Sequence, residues 1–320
     1  SLKEKPDATV AKDGTGRFKT VQEAIAAAPE HGMNRYVIYV KQGIYDEVVR
    51  IGEGKVNITL VGDGSELTIL SASLNNKYGY STYNSATLGV DGDGFIGQDL
   101  WIRNTAGASK GQAVALRVSA DRAILYRCRI EAFQDSLYAY KNRQFYKDTY
   151  ISGTIDFICG DAKAVFQSCR IVARKPMASE SNVITAQSAN STDERTGFIF
   201  HKCILTASVD LEPVRKVVKT YLGRPWGAYA TVVFMKSSMG DLITPEGYTP
   251  WSVKDLGRSS TVDYREYINT GPGADTRRRV NWKGFGVIQD PEEAEWFTVR
   301  KFIQGDDWIR STGVPYEGGL

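Results

Sequence analysis

Two aspartates carry the clearest chemical signal in this chain. Asp135, in QDSLY, and Asp156, in GTIDFI, lie 21 residues apart, each beside a short apolar run. The flanking sequence repeats with nearly the same step. Strand-like segments close at Ile102, Ile130, Ile151, Ile171 and Leu205, with 21 residues from Ile130 to Ile151 and 20 from Ile151 to Ile171. A repeat of that length marks a solenoid whose coils bury their apolar faces only by stacking on one another. Each unit is rich in alternating Val, Ile, Tyr and Phe, so the coils are built of strands. Asp135 lies five residues after Ile130 and Asp156 five after Ile151. Stacked strands are about 4.8 Å apart, which makes the two carboxylates neighbours on one face. Two carboxylates that close cannot both ionise cheaply, so one is held protonated while the other stays charged. The plainer reading, that both are turn residues, fits a single aspartate better than a pair in register.

Further groups fall in step with this pair. Gln112, in GQAVALRV, precedes Gln134 by 22 residues, which places an amide one coil below the Gln134 and Asp135 pair. Side-chain amides are donors suited to a developing oxyanion, although a lone Gln reads equally as a ladder amide of a solenoid turn. In TYLGRPWGAY, Arg224 stands between Gly223 and Pro225's neighbour-fixed backbone and beside Trp226, offering a rigid fork for a carboxylate next to an aromatic face. Sequence spacing alone does not bring it to Asp156.

The elements that must position these residues are legible in outline. Residues 1–35 hold a strand-like ATVAKDGTG and then TVQEAIAAAPE, where Thr20 and Glu23 form a capping box and helix runs until Pro29, a cap on the solenoid end. Strands begin at Tyr36 and continue to 255, with Gly, Asn and Asp at the turns and uneven spacings that imply inserted loops. From 256 to 320 the repeat is lost, and DPEEAEWFTVRKFIQGDDWI has helical character, with Trp296, Phe297 and Phe302 able to pack back on the body. One catalytic domain over 1–320 is expected. Cys128, Cys169 and Cys203 each sit two residues before the coil-ending Ile or Leu, with Thr149 in the same place between the first two. The spacing predicts a Cys169–Cys203 disulfide on adjacent coils and leaves Cys128 and Cys159 as buried thiols. GDGFIG (92–97) mimics a nucleotide motif but runs into a strand pattern, and GASKG (107–111) mimics a nucleophile elbow, but the chain has only His31, beside the cap, and His201, inside a strand, so Ser109 reads as a loop serine.

Composition bounds the rest. The 320 residues are 42% hydrophobic and 24% charged, ordinary for a globular protein. No run approaches the ~18 apolar residues of a membrane span, and the first residues lack a signal peptide's apolar core, as in a mature form or fragment. A net charge of +3 is far from the excess of a nucleic-acid binder. The RRR at 277–279 is a solvated loop or an attractor for an acidic polymer. Sequons at Asn57 and Asn190 are compatible with a secreted glycoprotein. No Cys/His spacing suggests a metal.

Taken together, GQAVALRV, QDSLY, GTIDFICG and YLGRPW resemble the four blocks of plant-type pectin methylesterases, and the likeness runs from DGTGRFKTVQEAIAAAP to WKGF (282–285) and the tail. The resemblance implies an all-β fold, a right-handed parallel β-helix with an N-terminal capping helix, a C-terminal helical tail and a substrate groove. It implies hydrolysis of the methyl esters of homogalacturonan, with no cofactor, in the cell wall outside the cell, by an enzyme that a proteinaceous inhibitor can bind; a monomer is expected because a capped solenoid leaves no edge to pair. By the same resemblance Asp156 is the nucleophile and Asp135 the general acid and then base. Gln112 and Gln134 stabilise the oxyanion, and Arg224 keeps Asp156 ionised by lowering its pKa. Trp226 and Thr82 contact the sugar, and Tyr83, Tyr138 and Trp251 wall the groove. Cys159 departs from the pattern, standing where the family often has an aromatic.

Other readings use the same residues differently. Carboxyls roughly 5 Å apart also suit a retaining glycosidase, but the Gln and Asp ladder with Arg224 favours ester chemistry. A lyase would be expected to show a calcium-binding acidic cluster, and no such motif is found. A wall-binding β-helix without activity would not need Asp135, Asp156 and Arg224 together.

Overall fold

The computed structural model describes residues 2–255 and 257–320. Its strands form three sheets, of 11, 8 and 7 strands, whose neighbours pair in parallel. From Tyr36 to Met239 the chain visits them in a fixed rotation, first, second, third, so that each circuit is one coil of a right-handed parallel β-helix. The repeat read from the sequence survives as register. Ile102, Ile130, Ile151, Ile171 and Leu205 are successive partners in the second sheet, and all are buried in the core. In the first sheet Tyr146, Phe166, Phe200 and Phe234 stack with ring centroids 4.6–4.7 Å apart. Coil spacing matches the separation of stacked rings, so an aromatic column packs at every rung.

Corners between the first and second sheets turn on a residue of left-handed backbone, among them Arg127, Asp148, Ser168, Lys202 and Lys236, with φ of 49–56°. The residue that follows is buried: Cys128, Thr149, Cys169, Cys203 and Ser237 in successive coils. Each donates to a carbonyl of the coil before. Thr149 Oγ1 reaches Leu125 O at 3.3 Å, Cys169 Sγ reaches Tyr146 O at 3.3 Å, Cys203 Sγ reaches Phe166 O at 3.2 Å and Ser237 Oγ reaches Phe200 O at 3.3 Å. This column overturns the expected Cys169–Cys203 bridge. The two lie on adjacent coils, as the spacing required, but all four cysteines are free and buried. The thiols act as donors in positions that Thr149 and Ser237 fill with hydroxyls.

Both ends depart from the expected boundaries. The capping box forms as read, with Glu23 N to Thr20 Oγ1 and Thr20 N to Glu23 Oε2 both at 3.2 Å, and helix Val21–Ala27 buries Val21, Ala24 and Ile25. Ahead of it, Ala8–Val10 pairs with Tyr36–Val40, so the strand stack starts before residue 36. It also runs past 255: Asp263–Tyr267 pairs in register with Thr231–Met235, and Phe285–Val287 adds one more strand. Insertions between these last strands of the first sheet hide the repeat. Short helices Pro291–Glu295, Val299–Phe302 and Gly305–Trp308 then follow. They cover the outer face of the first sheet, where Phe145, Val165 and Ile199 meet Val299, Ile303 and Trp308. Phe297 and Phe302 join that packing. Trp296 does not: it caps the first short helix and is 67% exposed, its ring against solvent with Lys301 Nζ 5.7 Å from the centroid. The insertions within coils fall chiefly at the corner from second to third sheet, at 73–87, 105–115, 174–181 and 208–219.

Candidate active site

Asp135 and Asp156 occupy that same second-to-third corner in consecutive coils, each two residues ahead of the paired Leu137 and Ile158. Both turn the corner themselves, with φ of 61° and 52°, a conformation Asp tolerates better than most residues. Asp135 N donates to Ile155 O at 3.0 Å, which locks one coil to the next. The carboxyls are deeply placed, Asp135 at 8% and Asp156 at 4% exposure. Behind them Tyr138, Cys159 and Ala186 form an apolar floor on the outer face of the third sheet.

Arg224 follows strand Thr220–Gly223, and its N–H donates to Thr185 O at 3.0 Å. In register it stands beside Ala186, so its side chain spans one intervening coil to reach Asp156. There it makes two parallel bonds, Nε to Oδ1 at 2.8 Å and Nη2 to Oδ2 at 2.6 Å. Trp251 lies under the guanidinium, 4.4 Å from its carbon to the ring centroid.

These neighbours separate the two carboxyls. Burial, and next the charge of Asp156, push Asp135 well above the usual carboxylate range, with Arg224 a minor offset. Burial also raises Asp156, and the Arg224 fork pulls it back. Arg224 therefore acts downward on Asp156 as expected, but desolvation outweighs it and the net shift is upward. A single proton on the pair resides on Asp135, leaving Asp156 as the charged partner of Arg224.

Gln112 and Gln134 are joined by an isolated parallel bridge, although Leu116 and Leu137 are partners further along. One extra residue lies between, a bulge that keeps the amides in step. Both side chains are half-buried, and among the described residues neither amide has a hydrogen-bond partner. Their donors are unpaired, on the corner that Gln134 shares with Asp135.

An aromatic line runs beside it. Ring centroids are 5.4 Å apart for Tyr83 and Tyr140, 5.1 Å for Tyr140 and Tyr138, 6.1 Å for Tyr138 and Trp226, and 6.2 Å for Trp226 and Trp251. Thr82 precedes the short turn Tyr83–Ser85, and its carbonyl accepts from Ser85 Oγ at 2.9 Å. Ser85 Oγ in turn accepts from Val114 N at 3.0 Å, tying this wall to the coil of Gln112. Two members were missed in the sequence. Tyr140 was signalled by the alternation LYAY, which places it on the face of Tyr138. Arg117, partner of Tyr138 one coil earlier, lies 3.7 Å from the Tyr83 ring centroid and pairs with Asp91 at 2.6 Å.

Fold and site together define a parallel β-helix protein with a carboxylate pair set in an aromatic-lined groove. The family model described as Pectinesterase matches residues 7–306, and the chain belongs to that family. It is 54% identical over 320 residues to "Probable pectinesterase/pectinesterase inhibitor 19" of Arabidopsis thaliana, covering 100% of this chain and 60% of that one. It is 52% identical over 314 residues to "Pectinesterase 2.2" of Solanum lycopersicum, covering 98% and 57%. The chain thus spans about three-fifths of the length of the curated relatives it matches. Among solved structures, "Pectin methylesterase from Carrot" superposes with a TM-score of 0.98 at 46% identity, covering 100% of both chains.

Proposed function

We propose that this chain hydrolyses the methyl esters of homogalacturonan, releasing methanol and leaving galacturonate carboxylates. The observation that carries the reading is the two-bond Arg224 fork on Asp156, at 2.8 and 2.6 Å, beside an Asp135 whose carboxyl is driven to its protonated form. Family membership supplies the substrate class.

In this reading Asp156, oriented by Arg224, attacks the ester carbonyl carbon. Negative charge moves to the carbonyl oxygen, which the free amides of Gln112 and Gln134 stabilise. As the intermediate collapses, Asp135 gives its proton to the departing methoxide and methanol leaves, with the galacturonyl group joined to Asp156 as an anhydride. Asp135, now ionised, takes a proton from water. The hydroxide attacks the galacturonyl carbon, the bond to Asp156 breaks, and both carboxyls return to their starting states. Trp226, Trp251, Tyr138, Tyr83 and Thr82 hold the sugar chain along the groove, and Cys159 makes its floor smaller than an aromatic would.

The wider setting is proposed on the same footing. The enzyme acts outside the cell, in the plant wall, as a single-domain monomer, with methylesterified pectin as substrate. A relative named both pectinesterase and pectinesterase inhibitor supports a proteinaceous inhibitor as partner. Among the described residues no helix is long and apolar enough to cross a membrane. Of the sequons, Asn190 is exposed, whereas the Asn57 amide donates to Gly32 O at 3.0 Å, so a glycan belongs on Asn190.

The test is methanol release from highly methylated pectin with reducing ends measured in the same tube. Methanol without chain cleavage, abolished by Asp156→Ala, is expected. New reducing ends from the wild type would move the aspartates to glycosidic chemistry and overturn the reading.

A further inference from the structure

Around the corner from the carboxylate pair, the outer face of the second sheet carries a second groove, of about 490 Å³, closed on one side by the inserted segment that begins at Ser208. The reaction above does not use it. Its base is a column of in-register residues, Trp101, Arg129, Tyr150 and Arg170, running along the solenoid axis. Arg129 is held flat between rings, its guanidinium carbon 4.3 Å from the Trp101 centroid and 4.6 Å from that of Tyr150. Glu131 Oε2 accepts from both Arg129 Nε at 3.2 Å and Nη2 at 2.7 Å, and Glu66 Oε1 lies 3.8 Å from Arg129 Nη1, so this guanidinium is already paired. Arg174 is fixed on the face of Phe133, at 3.7 Å, and spends one bond on Ala132 O at 2.9 Å. Arg170 is exposed and has no side-chain partner among the described residues.

We propose that this groove is a second, non-catalytic binding site for a carboxylate-bearing polysaccharide, the de-esterified stretches of polymer that the catalytic groove leaves behind. The ligand class rests on the proposed function. Three features point to it. Guanidinium forks match carboxylates in two-bond geometry, and Arg170 presents one that no side chain among the described residues occupies. Arg129, paired with Glu131, lies two coils from Arg170 in the same column, about 9.6 Å, so positive charge continues along the groove over a distance close to two sugar rings of an extended chain. Beside them Thr206 offers a hydroxyl and Val209 apolar contact, the mixture a sugar ring presents in return, while Asp210 at the rim accepts from Ser208 Oγ. Val209, 94% exposed at the lip, has nothing to pack on in the free protein.

The site is next to the chemistry. Phe133, on which Arg174 stacks, is followed directly by Gln134 and Asp135. A chain bound here is thereby kept at high local concentration beside the catalytic groove.

The test is electrophoretic retardation in native gels containing polygalacturonate. The wild type is expected to be retarded, and Arg170→Glu to weaken apparent affinity about tenfold or more, the loss of one charge-assisted fork. Arg278→Glu makes the same charge change in the 277–279 triplet, the competing candidate for attracting an acidic polymer, and is expected to leave retardation as it was. Arg170→Glu is also expected to release methanol at the wild-type maximal rate, since Arg170 is outside the catalytic groove. Wild-type mobility unaffected by the polymer, equal retardation of Arg170→Glu and wild type, or equal losses in Arg170→Glu and Arg278→Glu would each overturn the proposal. Absence of methanol release from every form would overturn the catalytic reading instead, and the gel result would stand apart from it.

Discussion

Where the first sheet hands over to the second, the chain turns on a left-handed residue and then buries a column of Cys, Thr and Ser whose donors all find carbonyls. Where the second hands over to the third, it turns on Asp135 and Asp156 themselves. The backbone device is the same at both corners, and register stacks like on like in both. The difference is satisfaction. Asp156 has both oxygens held by Arg224, but the Asp135 carboxyl has no hydrogen-bond partner among the described residues. The Asp135 oxygens are not sealed in the core, so this carboxyl is left open to whatever enters the groove. One corner closes its donors within the fold, and the other leaves a carboxyl facing the groove.

Changes at the second corner should fall first on activity. Asp156→Ala is expected to lower kcat for methanol release by on the order of 10⁴ or more while the fold, followed by circular dichroism, persists. Asp135→Asn should cost about 10²–10⁴ in kcat. Arg224→Lys replaces a planar fork with a point charge. Because Arg224 is what pulls Asp156 down against burial, the acid limb of kcat/KM should move to higher pH in that variant, and an unmoved limb would remove Arg224 from this role.

Stability should respond in the opposite sense. Burial raises Asp135 above its ordinary value of 3.8. The folded state therefore binds its proton more tightly than the unfolded chain, and stability falls as pH rises from about 3.8 through the raised folded value. Asn does not ionise, so Asp135→Asn should raise Tm near neutral pH, with the gain vanishing below pH 3.8. Smallest of all should be Cys169→Ser and Cys203→Ser. Ser237 and Thr149 already fill that column, so each change should alter stability by less than about 1 kcal/mol. A reductant should leave Tm unchanged, and a large reductant effect would restore the bridge.

Much of this was legible because a solenoid converts sequence step into position. The 21-residue interval between Asp135 and Asp156 became adjacency, and Gln112 met Gln134 despite the extra residue between them. What failed did so for physical reasons. Spacing put Cys169 beside Cys203 but said nothing of the carbonyls that occupy their thiols. The tail's apolar content was real, yet the residues that pack it on the first sheet are Val299, Ile303 and Trp308, and not Trp296. Arg224 stood 68 residues from Asp156, outside any step of the repeat, and only a motif resemblance linked them.

That last distance has a consequence for how such a chain can change length. Solenoids are modular, and coils are gained or lost at modest expense because each touches only its neighbours. Between Asp156 and Arg224 this freedom is withdrawn. The arginine side chain straddles the single coil that carries Ala186, so removing that coil would overshoot the carboxylate and adding one would leave the guanidinium short. Either edit would preserve every ladder of hydrogen bonds and disarm the protein, which makes this one rung a fixed gauge in an otherwise extensible structure.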